Sequence, residues 1–244
     1  MTAILTQFGL SSAFLSGLYD DKFTFKQLAQ QGDFGHGTFN AIDGEMIAVD
    51  GKFYRADVDG HITVVSPDQL TPIATLTHFQ PDNSFQLHDI VDYKMFQNQI
   101  RNYFHKKNGI YAIRIDATFE SLLARSESAQ IKPYESIKIS IPKLQRTFSL
   151  KNTQGSLIGY FVPELYKSIV LSGFHFHYIN DTQTKGGHVF DFKFNEAKVS
   201  LQYCSELNVI LPLTAQFDQM NINQDLDEAL QVAEHGKANP KTIK

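Results

Sequence analysis

Hydrophobic positions along the chain follow two rhythms, one of period two and one of three- and four-residue steps, which separate strands from helices. Near the start, Phe14, Leu15 and Leu18 are spaced as on a helix. Thr24 and Gln27 then stand as a capping-box pair ahead of a short helix ending near Gly32. Residues 38–42, 45–49, 53–56 and 61–65 read as strands separated by Asp43-Gly44, Asp50-Gly51 and Asp59-Gly60. Asp-Gly pairs supply the positive φ of tight hairpin turns, so this stretch predicts an antiparallel meander. A strand over 73–79 follows. Tyr93, Phe96, Ile100, Tyr103 and Phe104 then predict a helix over 89–106, with Asn108-Gly109 as its stop. Further strands are expected at 111–119, 137–141, 157–162, 173–179, 188–194, 198–204 and 209–213. A helix near 225–234 and a polar tail close the chain.

These elements predict an α+β fold of mostly antiparallel or mixed sheets with flanking helices. No Pro/Gly/Ser-rich linker divides the chain, so it reads as a single domain over 1–244. Within it, an N-terminal strand-rich half spans about 1–125 and a metal-binding half about 126–244. The order helix, meander, helix, strands is also that of a duplicated α/β unit, although no repeat of sequence accompanies it.

Composition narrows the function classes. A 42% hydrophobic fraction with 20 Phe and 10 Tyr excludes a disordered chain. A net charge of −4 without a basic block argues against nucleic acid. The single cysteine, Cys204, allows no internal disulfide and no multi-cysteine zinc site, so any metal must be held by histidines and carboxylates. The apolar run at 14–19 is short of the ~20 residues of a membrane span and lacks a basic lead-in. A soluble, cytoplasmic protein is expected.

Nine histidines are present, and three cluster as Gly173-Phe174-His175-Phe176-His177-Tyr178 and Gly186-Gly187-His188. On a strand, His175 and His177 share one face while Phe174, Phe176 and Tyr178 point into the core behind. A turn over 180–187 brings His188 beside them on the next strand. Three imidazoles from adjacent strands suit a divalent transition metal, zinc above all, with a position left open for chemistry. The bland alternative is three buried histidines bonded to backbone. Histidines 36, 61, 78, 88, 105 and 235 are scattered and read as surface or satisfied-core residues. A cupin also pairs His-x-His on a strand, but it would normally add a glutamate shortly after the pair and a far more distant third histidine. Here Asp181 stands in the glutamate's place.

Longer runs carry a resemblance over nearly the whole chain. They are Gln31-Gly32-Asp33-Phe34-Gly35, residues 37–46, Asp50-Gly51-Lys52-Phe53-Tyr54 and residues 111–116. Further on come Arg125-Ser126 with Gln130 and Lys132-Pro133-Tyr134, residues 155–160, and the histidine hairpin. Together they resemble the α-acetolactate decarboxylases. The resemblance implies zinc bound by His175, His177 and His188, an active-site arginine at Arg125, and glutamates at Glu45 and, by distance and local context, Glu234. It also implies acetolactate as small-molecule substrate and a homodimer. Glu127-Ser128-Ala129 departs from the family's usual Val-Pro after the arginine. Read by themselves, Glu45 is a solvated strand-end carboxylate, Arg125 a surface salt-bridge partner, and Glu234 a residue on the apolar stripe of Leu226 and Leu230, paired or at its edge.

The activity so implied is zinc-dependent decarboxylation of (S)-2-acetolactate to (R)-acetoin and carbon dioxide through a metal-stabilised enediolate. Arg125 would hold the departing carboxylate or assist proton delivery, and Glu45 or Glu234 would protonate carbon from one face. Two other readings stay open on the residues alone. One is a cupin-like metal oxygenase or isomerase acting on a small hydroxy-keto acid. The other is a non-catalytic small-ligand module.

Overall fold

The computed structural model describes residues 3–221 and 227–235. It is an α+β fold dominated by two sheets. The larger sheet runs in the order β14 (Glu206–Ile210), β1 (Ile4–Phe8), β8 (Ala74–Thr77), β3 (Phe34–Thr38), β4 (Glu45–Val49), β5 (Lys52–Ala56), β6 (Ile62–Val64). All its pairings are antiparallel except β1 with β14. A small ribbon joins β2 (Phe23–Thr24) to β7 (Leu70–Thr71). The second sheet runs β10 (Ile110–Glu127), β11 (Gln145–Val162), β12 (Gly173–Asn180), β13 (Gly186–Cys204), β9 (Asn83–Ile90). Because β10 also pairs with β13, four of its strands close into a ring. The short helices are α1 (Ser11–Leu15), α2 (Phe25–Leu28), α3 (Tyr93–Ile100), α4 (Ile137–Leu144), α5 (Ala215–Gln219) and α6 (Asp227–His235). No helix among the described residues is long and apolar enough to cross a membrane.

Local chemistry explains much of this. Asp50 and Gly51 both take positive φ, 51° and 77°, between the paired residues Val49 and Lys52, as a two-residue hairpin demands. Thr24 and Gln27 form the reciprocal capping box of α2. Glycine lets β3 approach β8: a Cβ on Gly35 would sit 2.0 Å from the Thr75 carbonyl oxygen.

Several elements differ from expectation. The strand expected at 38–42 lies at Phe34–Thr38 instead, because Ala41 and Ile42 take left-handed φ in a 3₁₀ turn over Asn40–Ile42. Residues 137–141, expected as a strand from their isoleucines, begin helix α4. Ile137 and Ile141 are buried four residues apart while Ile139 between them is 48% exposed, which is helical and not strand spacing. The helix expected over 89–106 starts only at Tyr93, where the Asp92 carboxylate accepts from Met95 N–H, and Asp89 and Ile90 belong to β9. The two strands expected at 188–194 and 198–204 are one, β13. Residues 225 and 226 of the expected last helix, and the tail beyond 235, lie outside the described residues. Both sheets draw strands from both sides of residue 125, which itself falls inside β10.

The ring of strands is filled by aromatics. Phe96, fully buried on α3, meets Phe192 edge-on at 5.4 Å and Phe176 at 5.8 Å. Replacing Phe96 with alanine should cost about 3–5 kcal/mol. Urea unfolding checks this, and a loss below 1 kcal/mol would mean the site collapses around the gap.

Candidate metal centre

Strand alternation builds the centre. On β12, Phe174, Phe176 and Tyr178 join the aromatic core, leaving His175 and His177 on the opposite face. The turn to β13 is closed by the Asn180 side chain, which accepts from Thr184 and Lys185 N–H at 2.8 and 2.9 Å. That turn sets the register, so His177 lies opposite His188, and His188 in turn lies opposite Arg125 of β10. Close packing of these strands requires Gly187, where a Cβ would lie 2.5 Å from the Arg125 carbonyl oxygen. Glu45 arrives from the first residue of β4 in the other sheet, and Glu234 from α6.

All six residues expected from the sequence therefore converge, each at most 9% exposed. His177 Nδ1 lies 2.7 Å from the Met46 carbonyl oxygen and His188 Nε2 lies 3.0 Å from that of Glu234. A carbonyl only accepts, so these nitrogens carry the protons, and the opposite nitrogen of each ring keeps its lone pair. His177 Nε2 and His188 Nδ1 both lie 3.1 Å from His175 Nε2. One proton on His175 cannot serve two acceptors, whereas a single cation serves all three nitrogens. Nitrogens ~2.0–2.1 Å from zinc in a tetrahedron are roughly 3.3 Å apart, close to both of these separations. Two carboxylates complete the donor set. Glu45 Oε2 is 3.2 Å from His177 Nε2, and Glu234 Oε1 is 2.9 Å from His175 Nδ1 but outside hydrogen-bonding geometry. Glu45–His177–His188 and His175–His188–Glu234 each bring one ligand atom per residue within 4.8 Å.

The readings of Glu45 as a solvated carboxylate and of Arg125 as a surface residue are both corrected, since each is 4% exposed. The two form an ion pair at 3.2 Å, Oε1 to Nη1. Arg125 also contacts Glu127 and donates from Nη2 to the Ala233 carbonyl at 2.7 Å. Glu234 sits at the end of the stripe formed by Ala229, Val232 and Ala233, facing His175; Leu226 lies outside the described residues.

Two wall residues were not anticipated. His36, read as scattered, is buried on β3 with its ring stacked on His175 at 4.1 Å, its Nε2 without a hydrogen-bond partner. It offers a third cluster with His175 and His177. Glu127 is 2% exposed beside Arg125. The rest of the cavity wall is mainly apolar, with Phe14, Ile42, Ile73, Ile137, Ile141 and Leu171 beside Thr38 and Thr75.

Burial controls the charges. It pushes His36, His177 and His188 well below the usual imidazole range, helped by neighbouring imidazoles and, for His177 and His188, by Arg125. It pushes Glu45 well above the carboxylate range and raises Glu127, against the pull of Arg125. Burial opposes the Arg125 charge too, but Glu127, Glu45 and Glu234 outweigh it and raise its pKa.

A pH dependence follows for the metal-free protein. The depressed imidazoles contribute stability above about pH 6.5, and it is lost as pH falls toward their native values, because the unfolded chain binds the protons. The raised carboxyls contribute stability below about pH 4.5, and it is lost as pH rises through their native values. Where the two ranges overlap, the imidazoles make stability rise with pH and the raised carboxyls, Asp21 among them, oppose that rise. Denaturant midpoints of chelator-treated protein should therefore pass through a maximum, falling on its acid side with the imidazoles and on its alkaline side with the carboxyls; a monotonic rise to pH 9 would contradict this balance.

A family model for alpha-acetolactate decarboxylase matches residues 5–224. The chain belongs to the alpha-acetolactate decarboxylase family. It is 35% identical to the alpha-acetolactate decarboxylase of Methylococcus capsulatus over 223 residues, covering 91% of this chain and 85% of that protein. It is 34% identical to that of Bacillus subtilis, covering 93% and 89%. The fold superimposes on the crystal structure of the Bacillus subtilis alpha-acetolactate decarboxylase with a TM-score of 0.91 at 33% identity, over 95% of this chain and 99% of the other. In this decarboxylase-family chain the three histidines thus sit within a fold shared along almost its whole length.

Proposed function

We propose that this chain decarboxylates (S)-2-acetolactate to (R)-acetoin and carbon dioxide with zinc held by His175, His177 and His188. Family membership favours acetolactate decarboxylation over the cupin-like oxygenase and the non-catalytic module. The observation that carries the metal assignment is the convergence of His177 Nε2 and His188 Nδ1 on His175 Nε2, with two backbone carbonyls fixing the outer ring nitrogens.

When bound, zinc supplies Lewis acidity that draws in the electron pair left on carbon by the departing carboxylate. The protein's own groups do the rest. Arg125, permanently charged, holds the substrate carboxylate until the carbon–carbon bond breaks and carbon dioxide leaves. Glu45, whose carboxyl is pushed well above the usual carboxylate range by burial, then donates a proton to the carbon from its own side of the cavity. Glu234 places a carboxylate oxygen 2.9 Å from His175 Nδ1, on the side of the cavity lined by α6. The apolar wall excludes water that would otherwise protonate either face.

The test is acetoin formation from racemic acetolactate against an enzyme-free blank, before and after chelation and with zinc added back. Fast, chiral acetoin production that disappears on chelation and returns with zinc supports the reading. A rate equal to the blank in folded, zinc-loaded protein would reject it.

A further inference from the structure

Arg125 and Glu127 lie two residues apart on β10 and so share its face. Both are buried, at 4% and 2% exposure. The Glu127 carboxylate Oε2 contacts Arg125 Nη1, and Glu45 Oε1 lies 3.2 Å from that same nitrogen. Nη1 is thereby hydrogen-bonded to Glu127 and ion-paired with Glu45, flanked by two carboxylates of the protein itself. Nη2 gives one hydrogen to the Ala233 carbonyl at 2.7 Å, while Nε is buried without a partner. A guanidinium can grip a carboxylate through Nη1 and Nη2 or through Nε and Nη2. Here the first grip is blocked and the second is open.

We propose that Glu127 is a positioning residue that clamps Arg125 by Nη1, reserving the Nε/Nη2 edge for the substrate carboxylate and trading substrate affinity for metal affinity. The trade follows from charge. Glu45, Glu127 and Glu234 surround one guanidinium and three imidazoles. Each carboxylate favours a divalent cation and disfavours a monoanionic substrate in the same low-dielectric cavity. Glu127 contributes to both effects from the cavity wall, through its contacts with Arg125 and Glu45.

This inference rests on the proposed zinc site, and its test separates the two. Glu127→Gln keeps the side chain's length and its contact with Arg125 but removes the charge. Zinc affinity is measured by competition with a chromophoric chelator. Calorimetry on zinc-loaded protein then measures 2-hydroxy-2-methylpropanoate, an anionic analogue lacking the ketone, and acetoin, which is neutral. The expected result is opposite shifts: zinc bound on the order of tenfold more weakly, the anion bound several-fold more tightly, and acetoin unchanged. KM for acetolactate should fall while kcat stays within a few-fold. A merely structural role for Glu127 would weaken zinc and anion together, and that pattern, or no shift in either, overturns the inference. If wild-type protein binds no zinc, the functional reading has failed instead.

Discussion

Replacing His177 with alanine should abolish stoichiometric zinc binding and lower acetoin turnover by at least about 10³-fold, a larger loss than any change in the cavity wall would bring. His177 is the junction of the site. Its Nδ1–H donates to Met46 on the seven-stranded sheet, and its Nε2 faces both His175 at 3.1 Å and the Glu45 carboxylate at 3.2 Å. Alanine therefore removes a ligand, one of the bonds that tie the ring of strands to the opposite sheet, and the neighbour that Glu45 faces. The cost in stability should be only about 2–4 kcal/mol, a cavity and a lost hydrogen bond, so the protein stays folded at room temperature. His61, exposed and paired with Asp57, is the control: its alanine variant should keep full zinc and full turnover. Metal analysis and an acetoin assay on both variants decide the matter. Unchanged zinc content in the His177 variant would place the metal elsewhere.

How much of this site was legible beforehand follows from range. Everything set by period-two alternation and short turns was readable: the His175–His177 face, the return of His188 on the next strand, and the Asp50-Gly51 hairpin. What depends on which sheet faces which was not. Glu45 becomes buried only because β4 packs against β12 and β13, and nothing within ten residues of Glu45 encodes that contact. Ending the strand at Phe119 hid the common face of Arg125 and Glu127, since Glu120, Ser121 and Arg125 interrupt the apolar alternation of what is one strand over Ile110–Glu127. Likewise, the isoleucines at 137–141 have high strand propensity, but docking against α6 and Phe14 made them a helix, a tertiary contact overriding a local preference. His36 could have been found. It shares a face of β3 with Phe34 and Thr38, both buried, where an imidazole is uncommon unless it has a partner or a function.

Leucine in place of Arg125 should destabilise the metal-free protein by about 3–5 kcal/mol, lowering its melting temperature by roughly 6–20 °C, and should also remove activity. The cause is not a lost surface salt bridge but a stranded group of carboxylates. Glu45 and Glu127 are both nearly inaccessible to water, and Arg125 is the cation they share. Without it they must ionise unpaired in a low-dielectric cavity or take up protons. The penalty should therefore be larger at pH 8 than at pH 5, where protonation relieves it. The double variant Arg125→Leu/Glu127→Leu removes one stranded carboxylate along with the guanidinium, so it should regain stability over the single variant while staying inactive. Melting curves at the two pH values, with chelator present, test both statements. A double variant no more stable than the single one would show that Arg125 acts on stability through packing against Phe190 and not through charge.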